Sequence, residues 1–302
     1  DISGYKTIFK YCKKPIPNCK FGIPVRYHDA PILFDEIKPV FLEFHLSYKD
    51  IDYPFNKIKN LLKDIPKNLN NTFHAPDFYS NDLIFDPFSK KENIRKESIF
   101  EFEKFLNHII IINDLLGNKK EAKVKVITSF SSATLKEFLN DKEKDDIYKK
   151  LEELIKNFRI KYPTLEILPQ TLPVNAWYLG GRRLVNIFAD PREILNFCKK
   201  TKLKICLDSA HTIMSSNYYS LNPNYWINEL LQFTDHIHLV DAKGDSDEGL
   251  LFGEGDLDLK LIVSSMKKKG GISFIPEIWQ GHHNLGEGFK IALNTINELK
   301  IK

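Results

Sequence analysis

A chain of 302 residues suits either two domains of about 150 residues or one closed α/β barrel of about 250. Its 42% hydrophobic and 28% charged residues describe a folded globular protein, and 14 Gly with 15 Pro exclude a collagen-like or low-complexity chain. No uncharged apolar run approaches the roughly 18 residues of a membrane span, no secretory signal opens the chain, and a net charge of +4 without a concentrated basic face argues against nucleic acid.

Residues 1–19 are basic, carry Pro15-Ile16-Pro17 and read as an N-terminal arm or linker, leaving 20–302 for one domain. The chain opens on Asp1 rather than Met, which fits a module joined to other domains in a longer polypeptide. Short β-branched or apolar runs then alternate with amphipathic stretches. Strands are expected at 21–27 and 40–46, followed by a helix at 55–64. A strand at 70–74 precedes a helix at 92–116, and a strand at 123–128 precedes one at 145–161. The strand at 165–170 leads to a helix at 191–200, opened by an Asp190-Pro191 cap. A strand at 203–208 leads to a helix at 225–233, opened by Asn222-Pro223. Strand 236–240 and helix 257–269 follow, with Gly270-Gly271 ending the helix. Strand 272–278 and helix 289–300 complete the pattern.

Strand alternating with helix predicts a parallel sheet, because parallel neighbours need a long crossover. The runs are apolar nearly throughout, as in Ile205-Cys206-Leu207, so both faces are expected to be covered. Eight such units point to a single (β/α)8 TIM barrel of the α/β class. The first strand is followed by no Gly-rich phosphate fingerprint, which counts against an open dinucleotide-binding sheet. Four cysteines show no CxxC pairing; Cys198 and Cys206 read as buried thiols, as a reducing cytoplasm allows.

In such a barrel the strand C-termini converge on one mouth, so the residues that end strands are the candidates for chemistry. They are Glu43 and His45, His74, Gln170, Asp208 with His211 just beyond, His236 or His238, and Glu277. Five of nine histidines fall at these ends, where surface helices would have scattered them. Gln170, Asp208, His238 and Glu277 are 38, 30 and 39 residues apart, about one unit per step. Four oxygen and nitrogen donors from neighbouring strands suit a divalent cation such as Mn²⁺, Mg²⁺, Co²⁺ or Zn²⁺. His236 and His238 share a strand face by period two, and His238 lies nearer the mouth. Between Asp235 and Asp258 eight acids accompany one basic residue, Lys243, a balance that favours a cation electrostatically.

Five motifs in order carry a resemblance: Phe-His-Ala-Pro, Cys-Leu-Asp-Ser-Ala-His, His-Ile-His-Leu-Val-Asp-Ala-Lys-Gly, Gly-Glu-Gly-Asp-Leu-Asp and Phe-Ile-Pro-Glu. Together they resemble the xylose isomerase-like barrel superfamily over about residues 20–300; it holds sugar isomerases and epimerases, inosose dehydratases and endonuclease IV-type enzymes. Segment 22–52 is also similar to barrel modules attached to sialic acid synthase-like proteins. The resemblance implies a metal quartet of Glu, Asp, His and Glu, which falls on Gln170, Asp208, His238 and Glu277. The departure is Gln170, since an amide can coordinate a cation but cannot act as a general base near pH 7.

The expected activity is thus a metal-dependent isomerase or epimerase acting on a sugar or sugar phosphate through an enediolate. Glu277 would be base and ligand, and His74 or Glu43 a proton donor. His45, His211, Trp279, Lys243 and Arg183 are expected to contact substrate, Arg183 as an anion clamp beside a Gly-Gly turn. Two alternatives stay open: a non-catalytic sugar-binding or regulatory module of a nonulosonate-pathway protein, and a metal-dependent phosphodiesterase. The latter lacks a histidine after strand four, where Thr128-Ser129 stand.

Overall fold

The computed structural model describes residues 15–117, 123–178 and 181–299, so most of the expected N-terminal arm lies outside the described residues. Eight strands run parallel: β1 (Lys20–Val25), β2 (Phe41–His45), β3 (Asn70–His74), β4 (Val124–Thr128), β5 (Leu165–Pro169), β6 (Ile205–Asp208), β7 (Thr234–Leu239) and β8 (Ser273–Pro276). Their order is 5-4-3-2-1-8-7-6. The two remaining edges meet where Gln170 bridges Cys206 in parallel register. There the Gln170 N–H donates to the Thr128 carbonyl and the Thr171 N–H to the Cys206 carbonyl, both at 3.0 Å. The result is a single (β/α)8 barrel.

Ten α-helices lie between or after the strands among the described residues: α1 (Ala30–Ile37), α2 (Tyr48–Ile51), α3 (Phe55–Leu61), α4 (Glu92–Leu115), α5 (Asp141–Lys161), α6 (Pro191–Thr201), α7 (Ser209–Tyr218), α8 (Pro223–Leu231), α9 (Leu259–Lys269) and α10 (His283–Glu298). Local chemistry starts and stops them. Asn140 and Glu143 form a capping box on α5, and the Asp190 and Asn222 side chains cap α6 and α8. Helix α9 ends at Gly270, whose φ of 63° suits a residue without Cβ. The buried stripe of α5, Ile147, Leu151, Ile155 and Phe158, follows the helical repeat and faces the barrel.

The main apolar core lies between strands and helices. Inside the barrel, Ile127, Leu168 and Cys206 form a separate small cluster, and polar residues occupy much of the rest. Glu43, Thr72, Asp208, His236 and His238 are all buried there. Near the strand N-termini Lys125 Nζ donates to the Asp235 carbonyl at 2.7 Å and to Ser273 Oγ at 3.1 Å.

The expected strands all form, with ends shifted by up to two residues, but several elements escaped the sequence pattern. Helix α1 is only eight residues long with Pro31 in its first turn. Helix α7 buries Ser209, Ala210, Thr212, Ile213, Met214, Ser215 and Ser216, so it has no polar face to reveal a period. Residues read as a loop after β5 make a hairpin, Asn175–Tyr178 with Gly181–Val185, extended by Ala133–Thr134. A second hairpin, Asp241–Lys243 with Asp247–Leu250, follows β7. Among the described residues no helix is long and apolar enough to cross a membrane.

Helix α4 is tied to the loop after β1 by a bond of 2.8 Å between Tyr27 Oη and His108 Nε2. Burial lowers the His108 pKa from 6.5 to about 4, so the native ring is neutral. Between those two values the unfolded chain binds the extra proton, so stability falls as pH drops through the window. Chemical denaturation should show a loss of about 3 kcal/mol from this residue on going from pH 7 to pH 4. His108→Gln, which keeps an acceptor for Tyr27, should remove that part of the slope; an unchanged slope contradicts the assignment.

Candidate functional site

The site is built around a buried carboxylate. Strand β2 turns both Glu43 and His45 inward, and Thr72 stands beside Glu43 in register on β3. Glu43 Oε1 receives His238 Nε2 at 2.7 Å and His45 Nε2 at 2.9 Å. Its Oε2 receives the Thr72 hydroxyl at 2.6 Å and lies 2.7 Å from His236 Nε2. Burial pushes a carboxyl up, but His236 and His238 outweigh it and hold Glu43 well below the usual carboxylate range. Both histidines of β7 therefore point inward, His236 one layer deeper and bonded through Nδ1 to Ser273 Oγ at 2.8 Å.

Above Glu43, the other nitrogen of His238 faces the mouth. His238 Nδ1 is 2.7 Å from Glu277 Oε2 and 3.8 Å from Asp208 Oδ2. Asp208 is next to His238 in the β6–β7 register, and Glu277 follows the last residue of β8. Burial opposes charge on His238, yet Cys206, Glu277 and Glu43 outweigh it and raise its pKa well above normal. Glu277 is held low by the histidines around it, His238 foremost, against its own burial. Asp208, His238 and Glu277 each offer a ligand atom within 4.8 Å of the others. A cation entering here displaces the proton on Nδ1.

Gln170 supplies a test of that possibility. In the structure Gln170 Oε1 lies 2.8 Å from His74 Nε2 and 3.5 Å from the Ser129 hydroxyl, while its NH₂ donates to Asp208 Oδ2 at 3.0 Å and lies 3.2 Å from His238 Nδ1. Amide oxygen and nitrogen have similar shapes, so the partners decide which end goes where. His74 bonds through Nδ1 to the Ala75 carbonyl at 2.8 Å, which fixes the proton on that nitrogen. Burial and then His45 lower its pKa, so the ring is neutral and Nε2 carries a lone pair. That lone pair calls for the amide NH₂. With the amide turned over, its oxygen faces Asp208, His238 Nδ1 and Glu277; once the proton on Nδ1 is displaced, these are four acceptors that fit a hard or borderline divalent cation.

The mouth is a cavity of about 330 Å³ lined by Arg26, His45, His74, Gln170, His211 and Glu277 with neighbouring loop residues. The His45 and His74 rings are 4.8 Å apart, and each is under 6 Å from His238. His211 lies between two acids, with Nδ1 3.3 Å from Asp208 Oδ2 and Nε2 3.4 Å from Glu248 Oε2. Burial opposes its charge, but Asp208 and Glu248 raise its pKa to about 10, so it remains a fixed cation at neutral pH. Exposure separates the carboxylates: the Glu277 side chain is 33% accessible, against 2% for Asp208 and 0% for Glu43.

Glu43, His45, His74, Gln170, Asp208, His211, His238 and Glu277 are thus brought together, whereas three other candidates lie apart. Arg183 sits on the hairpin after β5 and borders a different cavity of about 770 Å³ that shares no lining residue with the mouth. Lys243 is exposed on the second hairpin, and Trp279 is 74% exposed on the rim with its N–H donating to the Gly249 carbonyl. Arg26 and Glu248 were not anticipated. Arg26 directly follows β1, so the strand-end criterion finds it once the strand is ended at Val25. Its guanidinium is held by Ser47 at 2.7 Å and by Asp50.

The acidic segment after β7 has a role that charge counting hides. Asp241 accepts the N–H groups of Ala242, Gly253, Gly255 and Leu257 at 2.8–3.0 Å. A Cβ at Gly255 would meet the Ala242 carbonyl at 2.2 Å, so glycine is required for that approach. Glu254, Asp256 and Asp258 also accept backbone N–H groups, while Glu248 reaches His211. Most of these acids hold the loop in shape rather than face the mouth.

A family model described as xylose isomerase-like TIM barrel matches residues 40–299. None of the curated proteins matches the chain. Solved structures do: a D-tagatose 3-epimerase-like protein is 19% identical with a TM-score of 0.57, covering 92% of this chain and 98% of that one. D-allulose 3-epimerase from Methylomonas sp. in complex with D-allulose is 14% identical with a TM-score of 0.59, over 93% and 96% of the two chains. Endonuclease IV from Thermus thermophilus is 14% identical with a TM-score of 0.56, over 92% and 99%.

Replacing the carboxylate that organises the loop after β7 should be costly. Asp241→Ala leaves four backbone N–H groups without their acceptor and should lower unfolding free energy by about 3 kcal/mol in urea titration. A loss below about 1 kcal/mol means that water or a neighbour replaces the carboxylate.

Proposed function

The chain belongs to the xylose isomerase-like TIM barrel family, and from that premise we propose that it is a divalent-metal-dependent isomerase or epimerase. Its substrate on this reading is a polyhydroxylated carbohydrate or sugar phosphate with a carbonyl group. The observation that carries the reading is the unequal access of the three carboxylates around His238: Glu277 opens to the mouth beside the donor set of Gln170, Asp208 and His238, whereas Asp208 and Glu43 are buried, and Asp77 lines the same cavity from the loop after β3. Those four residues would hold the cation, Mn²⁺, Mg²⁺, Co²⁺ or Zn²⁺ by the chemistry of their donor atoms. When bound, the cation stabilises negative charge that develops on substrate oxygens.

Glu277, ionised at neutral pH, takes the proton from the carbon next to the substrate carbonyl. His211, kept charged by Asp208 and Glu248, adds a fixed positive charge at the same mouth. His45 and His74 offer imidazoles to substrate hydroxyls, and Arg26 offers a guanidinium on the β1 side. Gln170 stands where a second carboxylate would make proton transfer possible on both faces, so transfer is one-sided. That favours aldose–ketose isomerisation or dehydration over inversion by two opposed bases. A rival reading, a barrel that binds sugar without turning it over, draws on the same glutamine.

Purified protein incubated with Mn²⁺ and desalted should retain about one ion per chain, and Asp208→Ala should retain under a tenth of that. With the metal present, ketohexoses in D₂O should exchange the hydrogen next to the carbonyl, and Glu277→Gln should slow exchange by about a hundredfold or more. Gln170→Glu should extend exchange to the epimer of opposite configuration. Metal retention without exchange of any sugar supports the binding module, and failure to retain metal overturns the enzyme reading.

A further inference from the structure

Glu43 is fully buried and borders no part of the mouth cavity, yet its geometry reaches the mouth through two rings. An imidazole that donates Nε2–H to a carboxylate presents the Nδ1 lone pair on its opposite side. For His238, bonded to Glu43 Oε1 at 2.7 Å, the opposite side is the space shared by Gln170, Asp208 and Glu277. For His45, bonded to the same oxygen at 2.9 Å, the opposite nitrogen is 3.7 Å from Glu277 Oε1. One buried carboxylate thus sets the facing of both rings.

We infer that Glu43 is the positioning residue of the mouth site: acting through His238, it fixes the Nε2–H tautomer and aims Nδ1 at a divalent cation. The inference rests on the metal reading proposed above. Its negative charge also strengthens Nδ1 as a donor, because the proton on Nε2 is partly drawn toward the carboxylate. When a cation competes for Nδ1 the ring keeps one proton, and without that charge nothing holds it on Nε2, so it can stay on Nδ1 against Glu277 or Asp208 and oppose the cation. The loss therefore falls on metal affinity, separately from any loss of fold. Thr72 provides the comparison, since its hydroxyl bonds the other oxygen of Glu43 at 2.6 Å rather than the one that holds His238.

Mn²⁺ titrations followed by the electron paramagnetic resonance of the free ion test this, with Tm measured on the same samples. Wild type should bind Mn²⁺, and Glu43→Gln should bind it about ten- to a hundredfold more weakly. Thr72→Val should lower Tm while leaving Kd unchanged. If Glu43→Gln does not fold, Glu43→Asp, which keeps the charge but withdraws the carboxylate, carries the same expected loss of affinity. The visible spectrum of bound Co²⁺ should shift in the Glu43 variant and not in Thr72→Val. A folded Glu43 variant with wild-type Kd overturns the inference alone, as does an equal loss of affinity in Thr72→Val. Wild type that binds no Mn²⁺ overturns the metal reading and this inference with it.

Discussion

A carboxylate with no access to water must be matched by donors, and this requirement at Glu43 shapes the barrel interior. Strands β2, β3 and β7 each contribute a partner, so one charge joins three strands from inside. TIM barrels ordinarily fill this space with branched apolar side chains. Here the separate apolar cluster is confined to Ile127, Leu168 and Cys206, and hydrogen bonds take over the work of packing. Such an interior is less forgiving than an apolar one. Removing a partner leaves a buried charge unmatched, whereas removing a methylene leaves only a cavity.

The same economy appears at Gln170, where architecture and chemistry meet. Its backbone helps join β5 to β6 and so completes the ring, and its amide reaches His74, Asp208 and His238. Any change at this position acts on barrel closure and on the mouth together. Glutamine keeps an oxygen for a cation while withholding a second base, which is why the proposed chemistry is one-sided. The loop after β7 contributes by another route: Asp241 gathers four backbone N–H groups, and the resulting hairpin carries Glu248 to His211.

Much of this was legible in the sequence, for physical reasons. Parallel strands buried on both faces are apolar runs, and the interruption of such a run by Glu43, His74, Asp208, His238 or Glu277 marks a position that faces inward or ends a strand. Period two also shows that Glu43 and His45 share a face, but not how deep each lies. Only the register with Thr72 and the reach of His236 show that Glu43 belongs under the site. The charge count after β7 could not tell carboxylates that accept backbone N–H groups from those facing the mouth. Arg183 falls under the same limit, because the hairpin that carries it away is set by pairing between Ala176 and Arg183. Helix α7 was invisible because small polar residues buried on every side leave no amphipathic period.

The central claim is that the mouth accepts a divalent cation between Asp208, His238 and Glu277, with the Gln170 oxygen turned toward it. Crystals soaked in Mn²⁺ and measured at the manganese absorption edge test it most directly. The account predicts an anomalous peak within about 2.5 Å of His238 Nδ1 and of carboxylate oxygens from Asp208 and Glu277, with the Gln170 NH₂ facing His74. Crystals without such a peak, in which the Gln170 NH₂ bonds to Asp208, would contradict it.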